Sequence, residues 1–366
     1  MNDMDFERIQ YFPICNPQEI ERILNIQDAQ DYLLKLRADT IVDHMRLFRV
    51  YRNKAIANEK NWSLEKSFSK SHYNSFLRYL TKDTRSKCLE TTYGNMFSND
   101  PNGSIFQSDY GPIITISDSL QFFLKFMNLA LAKFKSDVPN HVRVNSLRIA
   151  IRVMLRTEAL DFLMDPRGKV PKDVMQKIHD PIPRQLEYIA GHEFAHYILG
   201  HISDSYIRDK PIYFALTTND VDYKPMKVFN QSQQDEFAAD IQSILLPKRS
   251  LNKVKGMFET ALFWFACLEL FEATLDIMHP QSPWGYRSHP SARERIDNLL
   301  TNTPTPPNFQ LDEWEQFFKN IDKMKLSLKE DLLRNTDFYE MYGSAYLDAP
   351  DTEWRGPKLI DRVDYY

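Results

Sequence analysis

Glycine supplies only ten of the 366 residues, where average usage would give about 26. Glycine is the residue that enters left-handed turns and lets backbones pass closely. A chain this poor in it is ill suited to a Gly-rich barrel, a Rossmann loop or a turn-dense sandwich. The deficit points to a mainly α fold, α+β with a small sheet. At roughly 150 residues per domain the length allows two or three units or one large one with extensions.

The rest of the composition excludes several functions. Hydrophobic residues make up 43% and charged residues 26%, as in an ordinary globular protein. The 46 basic and 50 acidic residues leave a net charge of −4, so a broad basic surface for nucleic acid is not expected. Cys15, Cys88 and Cys267 are far apart and lack ligand spacing, which suits a reducing compartment. The opening MNDMDFERIQYFP has neither a basic nor an apolar stretch of signal-peptide type. No apolar run reaches the ~18 residues of a membrane span. Ala261–Leu268 comes nearest and is cut by Glu269 and Glu272. The chain is therefore expected to be cytoplasmic, with no membrane span and no nucleic-acid partner.

Local signals divide the chain. Asn16-Pro17-Gln18-Glu19 is a helix start, with Asn16 as N-cap and Glu19 at the third position. Leu33, Leu36, Ile41, Met45 and Phe48 then recur at helical spacing. The stretch 93–108 is polar and holds the turn signal Asn99-Asp100-Pro101-Asn102-Gly103. Pro112–Ile116 reads as a short strand, and Ser117 or Asp118 as the cap of a helix through Leu120, Phe123, Leu124, Met127 and Leu131. Asn145–Met164 alternates like a strand in part, but its length favours a helix. Thr301–Pro307 is Pro/Thr-rich and reads as a linker. Three regions are expected: a helical N-terminal region over 1–110 with no assignable motif, a central unit over 111–300, and a C-terminal linker and helical extension over 301–366.

The chemistry lies in the central unit. Gly191-His192-Glu193-Phe194-Ala195-His196 contains H-E-x-x-H. On a helix the two histidines share one face, and Glu193 is placed to handle a water on the metal they hold. Gly200 is placed to end that helix. Gly191 costs about 1 kcal/mol of helix propensity against Ala, which a closely passing backbone would explain. Read alone, the pentapeptide is equally at home as a helix with two partly buried histidines. Forty residues on, Ser232 can cap a helix on which Glu236 and Asp240 share a face. Alone, that pair reads as a solvated helix face. Together, His192, His196 and Glu236 supply three ligands for a catalytic zinc. Asp240 can then accept a hydrogen bond from the free nitrogen of His192. In Ser288-His289-Pro290-Ser291-Ala292-Arg293-Glu294-Arg295-Ile296, Pro290 opens a short helix, and His289 or Arg295 could face an oxyanion. Without the first two motifs, an ordinary capped helix explains this segment.

The order H-E-x-x-H, E-x-x-A-D, H-P-x-x-x-x-R-I resembles the gluzincin metallopeptidases of the CaaX-prenyl-protease and HtpX group. In layout it is most similar to the soluble Lit-type phage-exclusion peptidases. The likeness covers about 110–300. It implies a zincin-like core, with His192, His196 and Glu236 as zinc ligands, Glu193 as general base, Asp240 behind a ligand, and His289 and Arg295 near the substrate. The membrane helices of the larger group are missing. The Lit-type precedent implies proteolysis of a cytosolic protein, a translation elongation factor, in phage defence.

The expected function is a soluble Zn2+-dependent endopeptidase acting on a protein or peptide substrate. The alternatives are a non-catalytic zinc-containing regulatory or binding module, and a protease silent until an activating trigger binds the N-terminal region. Of the other histidines, His201 reads as a cation at a helix C-terminus rather than a ligand. His44, His72, His141, His179 and His279 have no assigned role. Phe263-Trp264-Phe265 reads as core beneath the site helices. Tyr206, Tyr213, Phe214 and Tyr223 either line a substrate cleft or pack.

Overall fold

Strand β3 (Gly111–Ser117) is the expected strand extended by one residue at each end, and it lies inside a five-stranded sheet of order β1-β3-β2-β5-β4. A computed structural model of the chain describes residues 8–98, 102–201, 207–210, 226–229, 232–278, 290–348 and 353–354. Strand β1 (Thr92–Met96) runs parallel to β3, and β2 (Gly103–Ser108) antiparallel to it. Strands β4 (Ile207–Lys210) and β5 (Met226–Phe229) extend the far side. Sequence reading found only β3. Strand β1 is Thr-Tyr-Gly-Asn-Met, and glycine and asparagine are poor strand formers. Gly94 is needed because Arg37 passes over it: an added Cβ would lie 2.3 Å from a guanidinium nitrogen.

Successive side chains of a strand face opposite ways, and both faces of the sheet are covered. Met96, Phe106 and Ile113 meet Leu33 and Leu36 of helix α2 (Ala29–Val42), which follows α1 (Pro17–Leu24). Ile105, Ile114 and Ile116 face the main core. The capping box at Asn16 and Glu19 forms as the sequence predicts. The boundary expected at residue 110 falls inside the β2–β3 hairpin, which pairs from Gly103↔Ile116 to Ser108↔Gly111. The first two strands therefore belong to the sheet that carries β3. One hydrophobic cluster reaches from Tyr11 to Trp354, so the three expected regions share a core.

Helices α3 (Met45–Ala57), α4 (Ser71–Arg78) and α5 (Lys82–Cys88) precede the sheet. Helices α6 (Leu120–Leu131) and α7 (Asn140–Leu155) follow and pack on each other. The expected cap of α6 at Ser117 or Asp118 is not made: Asp118 instead accepts from Asn95 and Gln121. Helix α8 (Lys172–His179) leads into α9 (Ile182–Leu199), which carries H-E-x-x-H. Gly200, at φ 74°, stops α9 as expected. Helix α10 (Gln233–Leu245) starts on a capping box between Ser232 and Asp235. Helix α11 (Leu251–Met278) lies beneath, followed by α12 (Ala292–Asn302), whose cap is Ser291. Helix α12 thus begins two residues after Pro290, and the boundary expected at 300 lies within it.

The C-terminal helices α13 (Leu311–Arg334) and α14 (Thr336–Glu340) return to the body. There Glu158, fully buried, accepts from Arg152, Arg167 and the Ala345 amide. Paired in this way, the buried charges tie residues 343–347 to the end of α7. Among the described residues no helix is long and apolar enough to cross a membrane.

Candidate metal centre

Helix α9 is buried on nearly all sides over its middle turns, from Gln185 to His196. It packs against α4, α10, α11 and the sheet. Gly191 makes the α4 contact possible. An added Cβ would sit 2.7 Å from the ring of Phe76, which stacks on Phe194. The close neighbour anticipated at Gly191 is therefore an aromatic ring, not a backbone.

Three donor atoms converge between α9 and α10. His192 Nε2 and His196 Nε2 are 3.1 Å apart. The two oxygens of Glu236 lie 3.4 Å from His192 Nε2 and 3.5 Å from His196 Nε2. Ligands of a tetrahedral zinc, each about 2.0–2.1 Å from the ion, stand about 3.3 Å from one another. Both histidines and Glu236 are buried, and they form a group able to hold a metal ion. Two imidazoles and one carboxylate are a donor set that suits zinc. The residues fit the ion.

Asp240 stands behind the three donors. Its Oδ1 accepts from His192 Nδ1 at 2.9 Å and from the Tyr188 hydroxyl at 3.1 Å. The bond to His192 orients its ring with Nε2 towards the other two donors. Arg295 clamps Asp240 through Nη2 at 2.5 Å and Nε at 2.7 Å, and its Nη1 is 3.5 Å from Glu236. Its guanidinium lies over the Phe265 ring at 4.4 Å. Burial alone would raise the Asp240 carboxyl, but the guanidinium beside it holds it below the usual carboxylate range. Burial works against charge on His192, yet Asp240 and Glu236 outweigh it and lift the imidazole to about 10. His196 moves the other way, pushed well down by burial and by the charge on His192.

Glu193 sits one residue beyond His192 and is 6% exposed. Strand β2 backs directly onto it: a Cβ on Gly103 would lie 2.7 Å from Glu193 Oε1 and 3.0 Å from its Cγ. The sheet thus limits where this carboxylate can lie.

Of the residues expected to act together, the structure brings His192, His196, Glu236 and Asp240 together, and Glu193 lies next to His192 on α9, against Gly103. Arg295 belongs to the same group, with its side chain engaged by Asp240 and its Nη1 towards Glu236. His289, Tyr206, Tyr213, Phe214 and Tyr223 lie outside the described residues. Two partners were not anticipated. Tyr188, one turn before His192, was an available signal at i−4. The other is His201, expected only as a cation at the helix C-terminus: Gly200 reverses the chain and the His201 amide bonds back to the His196 carbonyl. His201 Nδ1 then lies 3.0 Å from His196 Nδ1, and its Nε2 is 3.5 Å from Asp235. Phe265 and Trp264 are core as expected, with Phe265 edge-on to Tyr188.

Comparison of the chain with protein-family models, with curated proteins and with solved structures gives no match.

Proposed function

We propose that the chain is a zinc-dependent endopeptidase with a zincin-like core of the gluzincin kind, hydrolysing a peptide bond in a protein or peptide substrate. The observation that carries this reading is the three-donor group at tetrahedral spacing with Glu193 on the adjoining position of the same helix. His192, His196 and Glu236 would hold the ion. Three protein donors are the number found in catalytic rather than structural zinc sites. When bound, zinc supplies Lewis acidity towards a carbonyl oxygen and lowers the pKa of water.

The chain's own residues do the remainder. Glu193 takes the proton of the attacking water and delivers it to the leaving amine. Gly103 limits the volume open to that carboxylate. Asp240 and Tyr188 hold the His192 ring, Arg295 holds Asp240, and His201 supports His196 from the other side. Regulation through the N-terminal region has a structural route, because α4 packs on α9 and β1 lies in the sheet beside it.

The test is Glu193→Gln, followed by a proteome-wide search for new N-termini. Wild type should generate new termini, and the variant should retain zinc and generate none. Equal proteolysis by the two proteins would defeat the assignment of Glu193.

A further inference from the structure

A cleft of about 980 Å3 opens between the N-terminal helices α4 and α5 and the first turns of α9 and α11. His192, His196 and Glu236 are not among the residues that line it, and at 100° per residue Glu187 lies roughly 140–180° around α9 from the two histidines. The cleft is therefore separate from the metal centre.

Its walls are cationic in a chain whose net charge is −4. Arg78, Arg85, Arg184, Arg249 and Lys253 line it, against Asp180 and Glu187. Glu187 is already engaged by Arg249 at 2.6 Å and by the Ser75 hydroxyl at 2.6 Å. Lys253 donates to the Tyr79 hydroxyl at 2.6 Å. Arg78, Arg85 and Arg184 have no carboxylate partner among the described residues. Three cations surround one ring: Lys253, Arg78 and Arg249 lie 4.8, 5.2 and 5.5 Å from the Tyr79 centroid. First-turn residues of α4, α9 and α11 also reach the cleft, and helix N-termini favour anions.

Five cations against two carboxylates, one of them already paired, leave an excess of positive charge facing this cleft, and like charges so gathered repel one another. Arginine forks match phosphate oxygens in pairs. The volume lies in the range of small-molecule sites, well above what one phosphate fills. We propose that this cleft binds a small soluble polyanion bearing several phosphate groups, on the scale of a nucleoside polyphosphate. The inference does not depend on the metal centre or on proteolysis.

The test is calorimetric titration of the full chain with inorganic tripolyphosphate, repeated with ATP and with hexaglutamate. Saturable one-to-one binding that weakens with salt is expected for tripolyphosphate. Arg78→Glu/Arg184→Glu should weaken it about tenfold or more, while Arg334→Glu, at the exposed last residue of α13, should leave it unchanged. If the double variant does not fold, Arg85→Ala and Arg184→Ala, both exposed, should each weaken binding. Zinc chelation by the probe is common to all variants and cancels in the comparison. Tighter binding of ATP assigns a nucleotide, and equal binding assigns the polyphosphate alone. Hexaglutamate binding as tightly as tripolyphosphate, an equal loss in Arg334→Glu, or no saturable binding would each overturn the proposal.

Discussion

Asp240 accepts from His192, Tyr188 and the Nε and Nη2 of Arg295 while fully buried. A carboxylate in that position tolerates little change, because every partner is left unsatisfied if it goes. Asp240→Asn should lower zinc affinity about 10–100-fold, measured by competition with a chromophoric chelator. Tyr188→Phe should lower it less, since the His192 and Arg295 bonds remain. Unchanged affinity in Asp240→Asn would show that the His192 ring is held by something else. The three donors and Asp240 were legible in the sequence because helical geometry fixes which residues share a face. Arg295 was legible as a neighbour but not in its role, since spacing does not say which way a guanidinium turns. The contact of His201 with His196 was not legible, because five residues along a continuous helix would carry it away and Gly200 ends the helix first.

Between elements, the decisive contact is α4 against α9. Gly191→Ala gains up to about 1 kcal/mol of helix propensity, but the new methyl meets the Phe76 ring at 2.7 Å. Overpacking of this kind costs about 1–3 kcal/mol, and the stacked Phe76–Phe194 pair has little room to yield. Gly191→Ala should therefore be less stable by up to about 2 kcal/mol in urea denaturation. Adding Phe76→Leu should recover part of that loss in a double-mutant cycle. A stabilised single variant would mean that α4 moves freely against α9. The helices were largely readable, since their periodicity and caps are local: Asn16, Ser232 and Gly200 act where expected. The sheet was not. Asn95 in β1 has its side chain bonded to His72 and Asp118. A polar strand satisfied by distant partners looks like a loop until those partners are known.

For the whole molecule, acid stability rests on two buried imidazoles away from the metal centre. His44 Nδ1 accepts from the Leu47 amide and its Nε2 meets the Tyr342 hydroxyl, so the neutral ring fits and the charged one does not. Burial pushes His44 down to about 4, and His72 likewise to about 4. An unfolded histidine titrates near ~6.5. Below that pH the unfolded chain takes up protons that the native one refuses. Stability is therefore lost progressively from about pH 6.5 down to about pH 4. Each residue should contribute about 2 kcal/mol of loss between about pH 7 and pH 5. His44→Asn, which keeps an N-cap acceptor, should flatten the denaturation free energy over that interval, and an unaltered slope would remove His44 from the account. The shared core from Tyr11 to Trp354 was hidden in the sequence because composition marks linkers but not what packs across them. Around that core, the proposed chemistry requires His192, His196 and Glu236 to hold one ion jointly. Elemental analysis of the purified chain and of Glu236→Ala, both confirmed as folded, tests this most directly. Wild type should carry one zinc per chain and the variant almost none, and a metal content that the substitution leaves unchanged would contradict it.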